Sequence, residues 1–254
     1  MRDGYNGPLV EPFVEQIYRI YDCNPNCFYP YVGAAFAHPN DADLRVMGVG
    51  INAHSQEKDL ASLRPEHYAQ WFEQKKWRYQ KGVWRDVGDL GARVTGDAFL
   101  FAGRVFRDAG SIFLTNAVKV YVRDSEGKRA DQLRDGRFEE HLGQWHEELD
   151  AMADAGALPH VIVIIGKPFW RLACASFAER NQARRFKHFS VGRQGGAEDA
   201  RASHFVNRLV VESRRGRQDL LLLRLRHPAA RTRLCSPAWL FEQDDFRRVA
   251  RSDP

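Results

Sequence analysis

The chain has 254 residues, of which 44% are hydrophobic, and 38 basic against 33 acidic side chains give it a formal net charge of +5. This length and apolar content support a large hydrophobic core. No run of residues approaches the roughly 18 to 20 apolar residues that a membrane span needs, and the first residues lack the apolar segment of a signal peptide. We therefore expect a soluble, cytoplasmic protein with no membrane contact. A monomer is expected as well.

Helical and strand patterns alternate along the chain. Helices are predicted over Pro12–Tyr21, Pro65–Tyr79, Val83–Phe106, Phe138–Ala153 and Pro168–Ala178, with a last one from near Pro237. Strands are predicted over Leu44–Gly50, Ser111–Thr115, Val161–Ile165 and Leu220–Leu225, and Phe186–Gly196 is predicted as an irregular or edge element.

This alternation predicts an α/β fold with three layers, in which helices cover both faces of a central, mainly parallel sheet of four strands. We find no repeat or long linker, so residues 1–254 are interpreted as one domain, with residues 1–43 as a helical extension packed on it. Ligand sites of open parallel sheets lie at the carboxyl ends of the strands. Asn52 and His227 each follow a predicted strand and are expected at that edge.

The four cysteines do not predict a metal site. Cys23 and Cys27 are separated by Asn24-Pro25-Asn26, and Cys174 and Cys235 stand alone in the sequence. Compact zinc and iron–sulfur sites use paired C-x2-C spacings instead. Gly48-Val49-Gly50 also lacks the full glycine pattern of a dinucleotide site. We expect no metal and no cofactor, and cysteines that are reduced.

Basic charge is concentrated between residues 201 and 233. Nine arginines stand there against Glu212 and Asp219, a local excess of +7 that is larger than the net charge of the whole chain. Such a segment is typical of a surface that binds nucleic-acid phosphates, although it also fits a solvated arginine-rich surface with no partner. The segment contains His227, which favours the first interpretation.

Three short motifs occur in the order found in one enzyme superfamily. They are Gly50-Ile51-Asn52, then Phe113-Leu114-Thr115-Asn116-Ala117-Val118-Lys119, and last His227-Pro228-Ala229-Ala230-Arg231. On these motifs the chain resembles the uracil-DNA glycosylase superfamily, and the first motif is similar to that of its mismatch-specific and single-strand-selective branches. The apolar strand Val161–Ile165 before Gly166 also matches the family pattern.

The resemblance implies a glycosylase-like fold, DNA as partner and a set of site residues. Asn52 and His227 take the catalytic positions, while Gly50, Ile51 and Asn116 form the base-binding part. Arg231 lies where family members insert a side chain into the DNA stack. Arg226 and Arg233 are expected to contact phosphates, with solvent-exposed arginines as the alternative.

The residue chemistry fits these roles. The Asn52 amide can hold a water molecule but cannot deprotonate it, so bond cleavage should largely precede attack by water. His227 can donate a hydrogen bond to the base as negative charge develops there. The Asn116 amide offers both donors and an acceptor to the edge of a base turned out of the duplex.

Less specific interpretations stay open for each residue. Asn52 and Asn116 also fit strand-end turns, and His227 also fits a loop before proline. Ala53 and Ala229 stand where the family usually has proline and serine. These departures keep open a DNA- or nucleotide-binding module without catalytic activity, and an unrelated doubly wound enzyme acting on free nucleosides is a further possibility.

Overall fold

The computed structural model shows an α/β protein built on a mixed sheet. The structure describes residues 12–22, 29–38, 40–52, 83–96, 101, 103–119, 135–166, 168–184, 187–189, 206–213, 216–227, 236–244 and 246–247. The helix predicted over Pro65–Tyr79 lies outside them.

The sheet of the described residues has seven strands in the order β1-β3-β2-β4-β7-β6-β5. The strands are β1 (Tyr31–Val32), β2 (Val46–Asn52), β3 (Ile112–Val118), β4 (Val161–Ile165), β5 (Lys187–Phe189), β6 (Val206–Ser213) and β7 (Gly216–Leu225).

The α/β class predicted from the sequence is confirmed, but the predicted sheet of four strands is too small. The four predicted strands correspond to β2, β3, β4 and β7, which are neighbours and pair in parallel. Strands β1, β5 and β6 pair antiparallel at the two sides and make the sheet mixed. Strand β1 comes from the N-terminal segment, which was expected to be helical.

Helices lie on both faces of the sheet. They are α1 (Pro12–Asp22), α2 (Ala34–Ala37), α3 (Val83–Gly96), α4 (Asp135–Glu140), α5 (Leu142–Ala155), α6 (Pro168–Arg184) and α7 (Pro237–Glu242), with a 3-10 turn over Asp108–Ser111. Helices α1, α5 and α6 supply side chains to one apolar cluster, which includes Met47 and Val49 of β2. Helices α3 and α7 contribute to a second cluster, which includes Val46 of the same strand. The alternation of side chains along a strand thus sends neighbours to opposite faces.

The helix predicted over Phe138–Ala153 is two helices, α4 and α5, that meet at His141. Helix α5 ends at Gly156, whose φ of 69° is in the left-handed region. There the Ala157 amide donates to the Met152 carbonyl over 2.7 Å, the capping arrangement that glycine favours. Helix α3 ends at Gly96 rather than continuing to Phe106.

Within the residues that the structure describes, no helix is long and apolar enough to cross a membrane.

Candidate functional site at the carboxyl edge of the sheet

The register of the parallel strands brings the predicted site residues to one edge of the sheet. Val49 pairs with Thr115 on one side and with Ile164 on the other, and Ile164 pairs with Arg224. Asn52 and His227 each lie three residues beyond this row. One strand, β4, separates the strands that carry them, which sets a backbone distance of about 10 Å across the sheet.

Asn116 lies in the next row, opposite Gly50. Its side chain is buried, with 7% of its surface exposed. A Cβ atom at Gly50 would be 2.5 Å from Asn116 Oδ1, which means that the amide lies directly over the glycine. The absence of a side chain at Gly50 therefore creates the space that the Asn116 amide occupies.

Ile51, expected in the base-binding part, is a core residue. It is buried in the cluster on the α1, α5 and α6 face. Gly50 and Asn116 lie on the opposite face, since Gly48 and Leu114, two residues before each, contact one another and α3. Ile51 thus contributes packing, while only its backbone lies at the candidate site.

The end of β7 presents Arg226 and His227. The Gly166 amide, at the end of β4, donates to the Leu225 carbonyl over 2.8 Å and holds the two strand ends together. Gly166 has a φ of 85°, which a residue with a side chain would adopt only with strain. His227 is exposed and Arg226 is partly buried, so the histidine lies on the solvent-facing side of this edge.

Asp86 is a residue of this region that sequence reasoning missed. It lies in the first turn of α3 and is 4% exposed. Burial raises the pKa of its carboxyl above the ordinary value, while the positive charges of Arg226 and Arg85 oppose that rise. The sequence signal was an acidic residue at position 86 on the apolar stripe that Val87, Leu90 and Val94 continue.

The proximity of Asp86 changes the interpretation of Arg226. A partly buried guanidinium within electrostatic reach of a buried carboxylate favours an internal role over a contact with phosphate. The charge of Arg226, just beyond the end of β7, therefore acts on the carboxyl at the start of α3.

Four of the nine arginines of this segment belong to the described residues, and they lie on β6, on β7 or just beyond its end: Arg208, Arg217, Arg224 and Arg226. Arg208 and Asp219 pair across these strands, with 2.8 Å between Arg208 Nη2 and Asp219 Oδ2. Arg217 lies near the start of β7 and Arg226 just beyond its end, a separation of nine residues or about 30 Å along an extended strand. Arg231 and Arg233 lie outside the described residues.

A fully buried polar network lies behind Asn116, on the opposite face of β3. The Lys119 ammonium donates to Glu148 Oε2 over 2.8 Å and to Thr115 Oγ1 over 2.6 Å. The Thr115 hydroxyl donates to Glu148 Oε1 over 2.8 Å, and the Tyr21 hydroxyl donates to the same oxygen. Both charged side chains have 0% of their surface exposed. The network thus joins β3 to α5 and α1.

Among the residues that the structure describes, no group of three or more histidine, cysteine, aspartate or glutamate side chains is placed to hold a metal ion. Cys174 is free and accepts a hydrogen bond from Asn207 Nδ2 over 3.1 Å. Burial raises the pKa of its thiol to about 12. This cysteine is therefore a protonated packing residue. The other three cysteines lie outside the described residues.

Comparison of the chain with models of protein families, with curated proteins and with solved structures gave no match. We therefore infer a function from the three motifs and from the positions of their described residues.

Proposed function

We propose that this protein is a DNA glycosylase that hydrolyses the N-glycosidic bond of uracil or of another altered base. The observation that carries the proposal is that Asn52, Asn116 and His227, one residue from each motif, lie at the carboxyl edge of four parallel strands. The three-layer arrangement and the parallel centre of the sheet support a glycosylase-like fold. The protein is proposed to act as a monomer on DNA in the cytoplasm, with no metal or cofactor.

The base is turned out of the DNA stack and enters the edge beside Asn116. Asn116 is buried there, with 7% of its surface exposed. Its side-chain amide has both donors and an acceptor, so it can pair with a base edge that presents one acceptor and one donor. This is how Asn116 would select a base by its hydrogen-bonding edge.

Bond cleavage then follows from the remaining residues. The bond between the sugar C1′ and the base nitrogen breaks, and its electron pair leaves with the base. His227 donates a hydrogen bond to the base oxygen on which that charge develops. Asn52 orients a water molecule that forms the new bond to C1′, and the water loses its proton to solvent or to the departing base. The products are a free base and an abasic site.

A gel assay for alkali-labile sites tests this function. Labelled oligonucleotides carry uracil, hypoxanthine, xanthine or a modified cytosine, in single-stranded and double-stranded form. We expect the wild type to cleave at least one of them. We expect Asn52→Ala to be slowed and His227→Ala to be inactive at unchanged DNA affinity. His227 is exposed, so its removal should leave the melting temperature unchanged, and loss of folding in this variant would contradict the assignment.

A binding module without catalytic activity is the second candidate. It is favoured by Ala53 and Ala229, which replace residues that the family usually has. Tight binding of modified DNA without cleavage of any substrate would support this module over the glycosylase.

A further inference from the structure

The buried network behind Asn116 is unusual because it places a complete ion pair in the core. Lys119 and Glu148 are both 0% exposed. Removing two charges from water costs so much that an apolar pair of similar volume is often as stable. Stability alone therefore gives no reason for charged residues at this place.

The geometry of the network instead fixes the end of one strand. Thr115 precedes Asn116 directly, and Lys119 follows it by three residues, just past the end of β3. Both side chains are bonded to the same carboxylate on α5. A charge-assisted hydrogen bond is shorter and more directional than an apolar contact. Strand β3 is thus bonded to α5 on both sides of Asn116, the residue that faces the candidate site.

The hydroxyl of Thr115 is the centre of this arrangement. It accepts from Lys119, donates to Glu148 and lies 3.2 Å from the Tyr21 hydroxyl. Its side chain points away from Asn116, because neighbouring residues of a strand face opposite sides of the sheet. The network can therefore act on the amide only through the backbone of β3.

We infer that Lys119 and Glu148 are positioning residues: their ion pair, shared through the Thr115 hydroxyl, fixes the carboxyl end of β3 and thereby the direction of the Asn116 amide. The role in base recognition rests on the proposed function. The effect on the strand itself does not, and it can be measured separately.

The main test replaces the pair by apolar residues in the double variant Lys119→Met/Glu148→Leu. The hydroxyls of Thr115 and Tyr21 then have each other as partners, so we expect a melting temperature within a few degrees of the wild type. Amide hydrogen exchange should nevertheless accelerate at least tenfold at residues 115–118. Exchange at residues 112 and 113, at the other end of β3, should be unchanged.

The kinetic expectation for the same variant follows from the position of Asn116. A small displacement of a positioning group can lower a rate by about 100-fold. We expect kcat/KM for excision to fall by at least tenfold, chiefly through a higher KM. The control is the double variant Glu15→Gln/Arg19→Gln, which removes an exposed ion pair on α1. These two side chains are 60% and 76% exposed. The control should change neither the hydrogen exchange of β3 nor kcat/KM.

A second pair of variants covers the case in which the double variant does not fold. Thr115→Val keeps the size of the side chain but removes the hydroxyl, whereas Thr115→Ser keeps the hydroxyl. We expect faster exchange at residues 116–118 in the first variant and rescue in the second.

The outcomes test the positioning role of the network and the proposed glycosylase function separately. Wild-type exchange rates in both Lys119→Met/Glu148→Leu and Thr115→Val would overturn the positioning role, whatever the activity. If the wild type excises no base, the proposed function fails, and the exchange rates still decide whether the network fixes the strand.

Discussion

Gly50 and Asn116 show how one residue sets the position of another in the candidate site. The two face each other across β2 and β3, and the amide occupies the space that a side chain at position 50 would need. The atom that a Cβ at position 50 would meet is Asn116 Oδ1, which is at the far end of a side chain that can rotate. A substitution at Gly50 should therefore be tolerated by the fold but not by the site.

We predict that Gly50→Ala lowers kcat/KM for excision by about 10- to 100-fold, the loss expected when one or two hydrogen bonds to the base are misdirected. The free energy of unfolding should fall by only about 1 kcal/mol, because the amide can move aside. Steady-state kinetics and urea denaturation measure the two effects.

Gly143→Ala is the matched control for this variant. Position 143 is exposed in the first turn of α5, and a Cβ there would contact nothing within 4 Å. Alanine should leave activity unchanged and slightly stabilise the helix. Equal activity losses in the two alanine variants would contradict the role assigned to Gly50.

The sequence predicted the residues that follow strands but not those that are defined by partners distant in the chain. Asn52 and His227 were predicted because each follows an apolar run, and Asn116 was predicted because its motif resembles that of a known family. Asp86 and Glu148 lie in ordinary amphipathic helices, and only tertiary contacts distinguish them from solvated acids. The pairing of Gly50 with Asn116 could not be predicted either, since it depends on the register between two separate strands.

At the scale of elements, β7 is the strand that most exceeds its sequence prediction. The prediction began at Leu220, whereas the strand begins at Gly216. Its first residues include Arg217, which is exposed, and Gln218 and Asp219, which are partly buried, and all three pair with β6. Strand β6 was missed because Asn207 and Arg208 interrupt its apolar residues, although Asn207 is 6% exposed and the Arg208 side chain 12%. Strands buried on both faces, such as β4, were predicted well because burial makes them continuously apolar.

The end of β7 provides a prediction about Arg226. In Arg226→Gln we expect the salt dependence of DNA binding to stay as in the wild type, because the partly buried Arg226 acts electrostatically on Asp86. The variant should lose about 1 kcal/mol of unfolding free energy, since it removes one of the two positive charges, Arg85 and Arg226, that act on a buried carboxylate. Asp86→Asn combined with it should cost less than the sum of the two single changes.

Arg233→Gln is the comparison for this experiment. Arg233 is expected to contact a phosphate, so its removal should reduce the slope of log K against log salt by about 0.9. If the slope decreases by a similar amount in Arg226→Gln, Arg226 binds a phosphate and the internal role assigned to it is wrong. Titrations of fluorescent oligonucleotides at several salt concentrations give the slopes.

At the scale of the whole molecule, the carboxyl edge and the amino edge of the parallel strands have different roles. The carboxyl edge carries the candidate site. At the amino edge the Arg45 guanidinium donates to the Leu158 carbonyl over 3.0 Å, and the Arg45 amide donates to His160 Nδ1 over 3.0 Å. Gln218 closes this edge by donating to the Pro159 carbonyl over 2.8 Å. These contacts contribute to stability and lie far from the proposed chemistry.

His160 makes the stability of the molecule depend on pH. It is 1% exposed, and burial together with the charges of Arg45 and Arg104 lowers its pKa from 6.5 to about 2. A group with a lowered pKa binds its proton more readily when unfolded, so its contribution is present above pH 6.5 and is lost as the pH falls below it. From about pH 7 to about pH 5, we expect a loss of about 2 kcal/mol from this residue.

His160→Asn tests this dependence. Its amide oxygen can accept from the Arg45 amide as Nδ1 does, but it does not titrate. The variant should be less stable at pH 7, because it fills less space, and its unfolding free energy should fall less between pH 7 and pH 5. Urea denaturation at several pH values measures both, and identical pH slopes for wild type and variant would contradict the role of His160.

The close approach of Gly50 and Asn116 also has an evolutionary consequence. Neither residue can enlarge while the other keeps its place, so in homologous chains these two positions should vary as a pair. A lineage that adopts a side chain at position 50 should also have a smaller residue at position 116, and with it a different choice of base. The residues at positions 50 and 116, on neighbouring strands, would then together determine which bases such proteins accept. The substrate range could change in this way while the surrounding core stays the same.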